Sequence, residues 1–304
     1  MTVTKIIWLI TDNKRGHENQ SLGLIRALER VHPIQTITLS TQTYHASWLQ
    51  AICGKLSIPH NIPSPDLIIG TGRRTHSTIL AAGRKTGAPT IVLMTPPIGT
   101  RIFFDLCIAP EHDEKSGSNL IYSKGALNIV QPGTALTDKQ GLILIGGPSA
   151  NHAWNEAQVR QQVQRILSSN PTIKWTLTTS RRTPPTTTQI LSALANSQLQ
   201  VEPVEQTSAD WLQQQLNCAG SIWVTEDSVS MVYEALTSGS RVGILNVPRK
   251  SSNSRVVRGL DKLICDQMVH PYEYNHADLL CYPKNAPLNE ANRIAQMVLN
   301  RFLK

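Results

Sequence analysis

Residues 63–94 read PSPDLIIGTGRRTHSTILAAGRKTGAPTIVLM, and they contain a complete strand–turn–helix–strand unit. The apolar run 66–70 passes through a two-glycine loop into a helical pattern over 76–87. That pattern stops near Gly87, ahead of a second apolar run at 90–94. Runs without polar alternation suit strands covered on both faces, and a helical crossover makes such strands parallel. Reading outward, runs at 5–10, 34–39 and 105–109 have the same character, and 18–31 places Leu24, Ile25, Leu28 and Val31 on one helical stripe. The alternation restarts after the polar, glycine-containing stretch 131–141. Strands are expected at 142–146, 174–178, 221–225 and 241–246, with helices at about 152–168 and 228–238. Two strand–helix series of similar size predict two Rossmann-like α/β domains with parallel sheets facing a central cleft, split at 138/139. A closing amphipathic segment, 288–303, presents Leu288, Ala291, Ile294, Ala295, Val298, Leu299 and Phe302 at helical spacing and needs a surface to dock on.

Composition narrows the classes of function. With 304 residues, 40% hydrophobic and 16% charged, the chain can bury two ordinary cores. The formal charge of +8 is spread out: residues 1–140 hold fourteen Lys/Arg and nine Asp/Glu, and the remainder fifteen and twelve. That balance suits phosphorylated ligands or an anionic membrane surface as well as plain solvation. No clustered basic stripe or reading motif points to nucleic acid. The five cysteines are odd in number and form no CxxC pair, which speaks against a disulfide framework or structural zinc site and for a reducing compartment. No apolar run approaches the ~20 residues of a spanning helix. A soluble, cytoplasmic protein is therefore expected.

In open parallel sheets the ligand lies beyond the carboxyl ends of the strands, so the loops that follow strands carry the chemistry. TDNKRGHENQSLG (11–23) brings His17 to the mouth of a helix, with Lys14 and Arg15 beside it. His17 can serve as a general base or bind an anion, or it can join a capping network with Asn13 and Asn19. GTGRRTHST (70–78) offers Arg73 and Arg74 to an anionic acceptor, and either can equally be a solvated charge. GGPSANHAW (146–154) supplies Gly146, Gly147 and Ser149, whose amides at a helix start make an anion site. TTSRRTPP (178–185) adds Ser180, Arg181 and Arg182 for the same diphosphate. In VTEDSVSMVYEALTSG (224–239), Glu226, Asp227, Ser228 and Ser230 precede Glu234, a carboxylate inside an otherwise apolar helix and placed to hold two ribose hydroxyls. Ser228 and Ser230 can also be plain caps. APEHDE (109–114) gathers Glu111, His112 and Asp113, proton-transfer groups or a solvated acidic turn. No DxD motif and no His/Cys cluster suggests a metal or other cofactor.

Four of these segments in order, residues 63–94, LILIGGPSANHAW, LTTSRRTPP and VTEDSVSMVYEAL, resemble the mitochondrial-fission ELM-type family, whose bacterial members are grouped with lipooligosaccharide outer-core glycosyltransferases. More distantly the layout is similar to the peptidoglycan N-acetylglucosaminyltransferase, although KRGH stands where that enzyme has a more glycine-rich loop. The resemblance implies a GT-B fold, with the donor nucleotide-sugar on 139–285, the acceptor on 1–138, and 286–304 packing back on the amino-terminal domain. It implies metal-independent sugar transfer to a cell-envelope glycan or glycolipid, the lipooligosaccharide core being the expected acceptor, peripheral to the inner membrane. His17 is then the first candidate base and Asp113 the second. Two alternatives remain: a non-catalytic nucleotide-binding or scaffold protein of the same fold, and an NAD-dependent epimerase, which would need the GxGxxG fingerprint and YxxxK pair that this chain lacks.

Overall fold

The computed structural model describes residues 3–111, 117–251, 254–273, 277–284 and 286–303. The chain forms two compact units, one of Met1–Ile129 with Glu290–Lys304 and the other of Val130–Asn289. In the first unit β1 (Lys5–Thr11), α1 (Arg15–Glu29), β2 (Ile34–Ser40), α2 (Trp48–Ile52), β3 (Leu67–Thr71), α3 (His76–Thr86), β4 (Thr90–Leu93), α4 (Ile98–Arg101), β5 (Leu106–Pro110) and β6 (Leu120–Ser123) follow in order. The second holds β7 (Thr137–Leu144), α5 (Glu156–Ser169), β8 (Lys174–Thr178), α6 (Pro185–Ser192), β9 (Leu199–Glu202), α7 (Trp211–Cys218), β10 (Ala219–Thr225), α8 (Val229–Ser238), β11 (Arg241–Leu245), α9 (Arg255–Cys265) and β12 (His270–Pro271). The last helix, α10 (Glu290–Phe302), belongs to the first unit.

Both sheets are parallel throughout. The first runs β2-β1-β3-β4-β5-β6 and the second β12-β11-β10-β7-β8-β9. Each order reverses once, at β1/β3 and at β7/β10, and there neighbouring strands send their crossovers to opposite faces and leave a crevice at their carboxyl ends. The two-residue period of a strand shows directly in the cores. Ile7 and Leu9 point to the α1 side with Leu67, Ile69, Ile91 and Leu106, while Trp8 and Ile10 point to the α3 side with Ile68, Val92 and Cys107. Helix α10 closes the α1 side: Ile294 and Val298 are fully buried there beside Leu24, Ile25 and Leu28. Its first residue is pinned as well. Burial would raise the Glu290 carboxyl, but hydrogen bonds from Arg293 and the Lys124 amide outweigh it and hold the pKa below the usual range.

The boundaries differ from the sequence expectation for packing reasons. The first division falls at 129/130, because Val130 is buried in the second core and Gln131 and Thr134 bond to Gln213 and Asn217. A division at 138/139 would cut β7. The second falls at 289/290, because the Leu288 amide donates to Leu236 O and its side chain packs on the second core. Helix α1 begins earlier than the apolar stripe, at Arg15. Helix α5 begins later than expected, capped by Asn155, whose side chain accepts from the Gln158 amide.

Two tryptophans fix the register of the second sheet. Trp175 lies beside Gly141 and Trp223 beside Gly243 on adjacent strands, and a Cβ on either glycine would stand 2.3 Å from the indole. Gly243→Ala is therefore an overpacking change. It is expected to cost about 1–3 kcal/mol, read as a lower urea midpoint with an unchanged m-value, because both tryptophans are already fully buried.

Candidate functional site

In the first unit the switch-point crevice opens beyond β1 and β3. Asn13 leaves β1 with φ of 59°, a left-handed conformation that Asn tolerates, and the chain doubles back so that Asp12 meets His17. His17 Nδ1 lies 3.0 Å from both oxygens of Asp12, whose side chain is buried. A carboxylate only accepts, so Nδ1 carries a proton toward Asp12, and Nε2 is the ring nitrogen not engaged by it. The imidazole rests on Gly72, which has φ of 90° and whose absent Cβ would lie 2.4 Å from the ring. A buried hydroxyl pair, Ser21 and Thr71 at 2.6 Å, fixes α1 against β3 beneath it.

Among the described residues the Asn13 and His17 side chains make no cap bond to α1. Lys14 occupies the N-cap of α1 without a side-chain cap bond, and Asn13 donates to Ser40 instead. Arg15, Arg73 and Arg74 are exposed around the imidazole loop. Glu111 is exposed at the end of β5, and His112 and Asp113 lie outside the described residues.

In the second unit three loops meet at the β7/β10 switch point. The Gly146 amide donates to Thr225 Oγ1 (2.7 Å) and the Gly147 amide to Asp227 Oδ2 (3.0 Å). Arg182 bonds Asp227 Oδ2 at 2.8 Å and the Gly147 carbonyl at 2.9 Å, and Thr183 donates to the Gly146 carbonyl. These contacts correct the expectation that the glycine amides form an open anion site, since both are satisfied within the protein. The glycines are needed for loop-to-loop contact: a Cβ would strike the Asp227 carboxylate at 2.3 Å from Gly146 and the Arg182 carbonyl at 2.1 Å from Gly147.

Glu226 and Asp227 likewise serve as internal braces. Glu226 is buried and accepts from the Val247 amide (3.0 Å) and from Arg249 Nε (2.6 Å). Ser149 accepts from the amides of Asn151 and His152, a local turn that keeps α5 from starting there. His152 is wholly buried, and burial holds its pKa below the ordinary value against the opposing pull of Glu226 and Asp227.

The groups left for a ligand are fewer than the sequence offers. Arg181 is exposed at the loop tip, Ser180 is half-buried beside Thr183, Ser228 occupies the N-cap of α8 without using its hydroxyl there, and Ser230 is exposed in the first turn. Glu234 lies deeper in α8, partly buried, with no hydrogen bond or ion pair among the described residues, and burial pushes its carboxyl up to about 7. A carboxyl shifted by burial and without a partner, in a helix that follows a strand end, marks a candidate functional residue. Asp12, Thr183, Thr225 and Arg249 escaped the sequence reading. Asp12 alone carried a local signal, standing before an Asn able to turn the chain. Among the described residues no three His, Cys, Asp or Glu side chains converge in a metal-binding group, and no helix is long and apolar enough to cross a membrane.

Comparison with known proteins agrees with this architecture. The chain aligns over 98% of its length with the spinosyn forosaminyltransferase SpnP, of which it covers 98%, at 12% identity and a TM-score of 0.56. A Listeria monocytogenes protein described as a UDP-N-acetylglucosamine 2-epimerase aligns over 99% of this chain and 97% of its own, at 13% identity and a TM-score of 0.55. Another UDP-N-acetylglucosamine 2-epimerase aligns over 100% and 98%, at 13% and 0.51. Likeness at such identity establishes the shared α/β fold of GT-B type. No curated protein sequence matches significantly. The sequence profile of the mitochondrial fission ELM1 family matches residues 15–302, and the chain belongs to that family.

Proposed function

We propose that the protein is a glycosyltransferase that takes its sugar from a nucleotide-sugar bound by the second unit. The observation that carries this reading is Glu234, an unpaired carboxyl one turn inside the helix that follows β10, at the switch point where α/β sheets bind nucleotides. A carboxylate there can accept from both ribose hydroxyls. Ser228 and Ser230 at the start of the same helix, with Ser180 and the exposed Arg181 on the loop after β8, are the groups we assign to the diphosphate, while Gly146, Gly147, Ser149, Arg182, Glu226 and Asp227 shape and brace the loops. The first unit supplies the base. With Nδ1–H held by Asp12, His17 Nε2 takes the proton from an acceptor hydroxyl as that oxygen bonds to the anomeric carbon. The bond to the diphosphate oxygen breaks and its electron pair leaves with the nucleotide. Positive side chains can offset the charge on that leaving group without a metal. Exposed Arg15, Arg73 and Arg74 suit an acceptor bearing phosphate or carboxylate, as the glycans and glycolipids of a cell envelope, lipooligosaccharide core among them, commonly do.

A panel of nucleotides and nucleotide-sugars, followed by calorimetry, tests the donor assignment. Glu234→Ala is expected to weaken nucleotide binding by about 1–3 kcal/mol. Unchanged affinity in the folded variant would remove Glu234 from the site. The same residue leaves a signature in stability. Its folded pKa, about 7, lies above the 4.5 of an unperturbed Glu, so the folded state holds the proton more tightly. The penalty is absent below pH 4.5, grows as pH rises, and is complete above 7. Glu234→Gln should thus stabilise the protein at pH 8 by on the order of 1–3 kcal/mol and leave it unchanged at acid pH, as followed by urea unfolding at both.

The base assignment predicts a different pattern. His17→Asn and Asp12→Asn are each expected to lower transfer, His17→Asn by about 10²–10⁴-fold, with nucleotide affinity little changed. A folded His17→Asn protein with near-normal transfer would exclude base catalysis by this residue. Nucleotide binding by the native chain with no transfer to any acceptor would favour the non-catalytic reading instead.

A further inference from the structure

Residues 30–104 carry seven Lys/Arg and a single acid, Asp66, which is itself occupied by Lys5 Nζ and the Ile6 amide. Within this stretch the first unit exposes an apolar surface. Helix α2, held by a Ser47–Gln50 capping box, buries Ala51 and turns Leu49 (78% exposed), Ile52 (65%) and Trp48 outward. Ile102 (77%) and Phe103 (47%), just before β5, do the same. Arg84 joins the two groups: its Nη1 donates to the Ala51 carbonyl at 2.9 Å and its guanidinium lies 5.9 Å from the centre of the Phe103 ring. Exposed Lys55 and Lys85 flank it, and Lys85 donates to the Leu56 carbonyl. The nearest acid in sequence, Asp105, is already bonded to the amide and hydroxyl of Thr90.

We infer that this surface docks the protein on an anionic lipid bilayer. Aliphatic and aromatic tips enter the headgroup boundary while Lys55, Arg84 and Lys85 meet lipid phosphates. A second copy fits poorly, since a two-fold contact would set Lys55, Arg84 and Lys85 against themselves, and Asp105, the exposed acid beside Arg84 and Phe103, is already held by Thr90. The surface is built from helix-to-strand connections, which lie at the amino ends of β3, β4 and β5. The His17 loop lies at the carboxyl ends, so docking leaves that mouth uncovered. This inference goes beyond the proposed activity and does not depend on it.

Vesicle co-sedimentation of the full chain tests it, with phosphatidylcholine alone against phosphatidylcholine containing roughly one-third phosphatidylglycerol. The native protein is expected to sediment with the anionic vesicles and to remain in solution with the neutral ones. The double variant Leu49→Ser/Ile52→Ser and the separate variant Ile102→Ser, each checked for folding by circular dichroism, should lose about tenfold in partitioning. Retention of native partitioning in both variants would overturn the inference, because the diffuse basic charge would then account for all binding. So would equal binding to neutral vesicles, no binding to anionic ones, or a loss confined to self-association on gel filtration.

Discussion

Asp227 has its carboxylate wholly removed from water, and what such a group requires decides how the second unit is finished. An unpaired carboxylate in that position would cost several kcal/mol, so Asp227 must collect donors, and it takes them from two other loops. The Gly147 amide comes from the end of β7 and Arg182 from the loop after β8. Neither loop could approach closely with a side chain at 146 or 147. One buried charge at the switch point thereby converts three strand ends into a single rigid rim. Glu226, the residue before Asp227, repeats the device toward the neighbouring β11, drawing in the Val247 amide and Arg249 from the loop after that strand.

The first unit uses a related arrangement with a different outcome. Asp12 also sits buried just after β1, beside the β1/β3 switch point, but its partner is an imidazole, not a guanidinium. An arginine so paired is a strut, permanently charged and with no site left for proton exchange. A histidine paired through Nδ1 has a second nitrogen free for chemistry. Similar topology therefore yields a guanidinium brace in one unit and, in the other, an imidazole held through Nδ1 alone, and the residue opposite the carboxylate makes the difference.

The architecture was legible in the sequence because parallel strands buried on both faces leave uninterrupted apolar runs, as KIIWLI and DLIIG do. Elements with polar or short faces, such as β9, β12, α2 and α6, leave no such trace. The loops were legible as loops, but the roles within them were not. A double glycine reads as a phosphate cradle, yet Gly146 and Gly147 are explained by the bulk of Asp227 and Arg182, residues about thirty-five and eighty positions away in the chain. Glu226 and Asp227 read as ligand-binding carboxylates because sequence shows charge and hides burial. Glu234 stood out for a sounder reason, a charge inside an apolar helix, which is a conflict visible locally.

Such conflicts are the most informative features of the molecule. Lys14 and Arg15 start α1, with Glu18 the acid of its first turn, and Arg73 and Arg74 lie in the short turn before α3. Positive charge at a helix start is disfavoured by about 0.3–1 kcal/mol, and neither helix has a side-chain N-cap bond. Glu234 accepts a raised pKa with no partner. By local propensity an Asp or Ser at the helix starts and an Ala at 234 would each be better. Excess positive charge at the mouth of one sheet and an unanswered acceptor at the mouth of the other make sense together if an anionic molecule and a hydroxyl-rich one complete them.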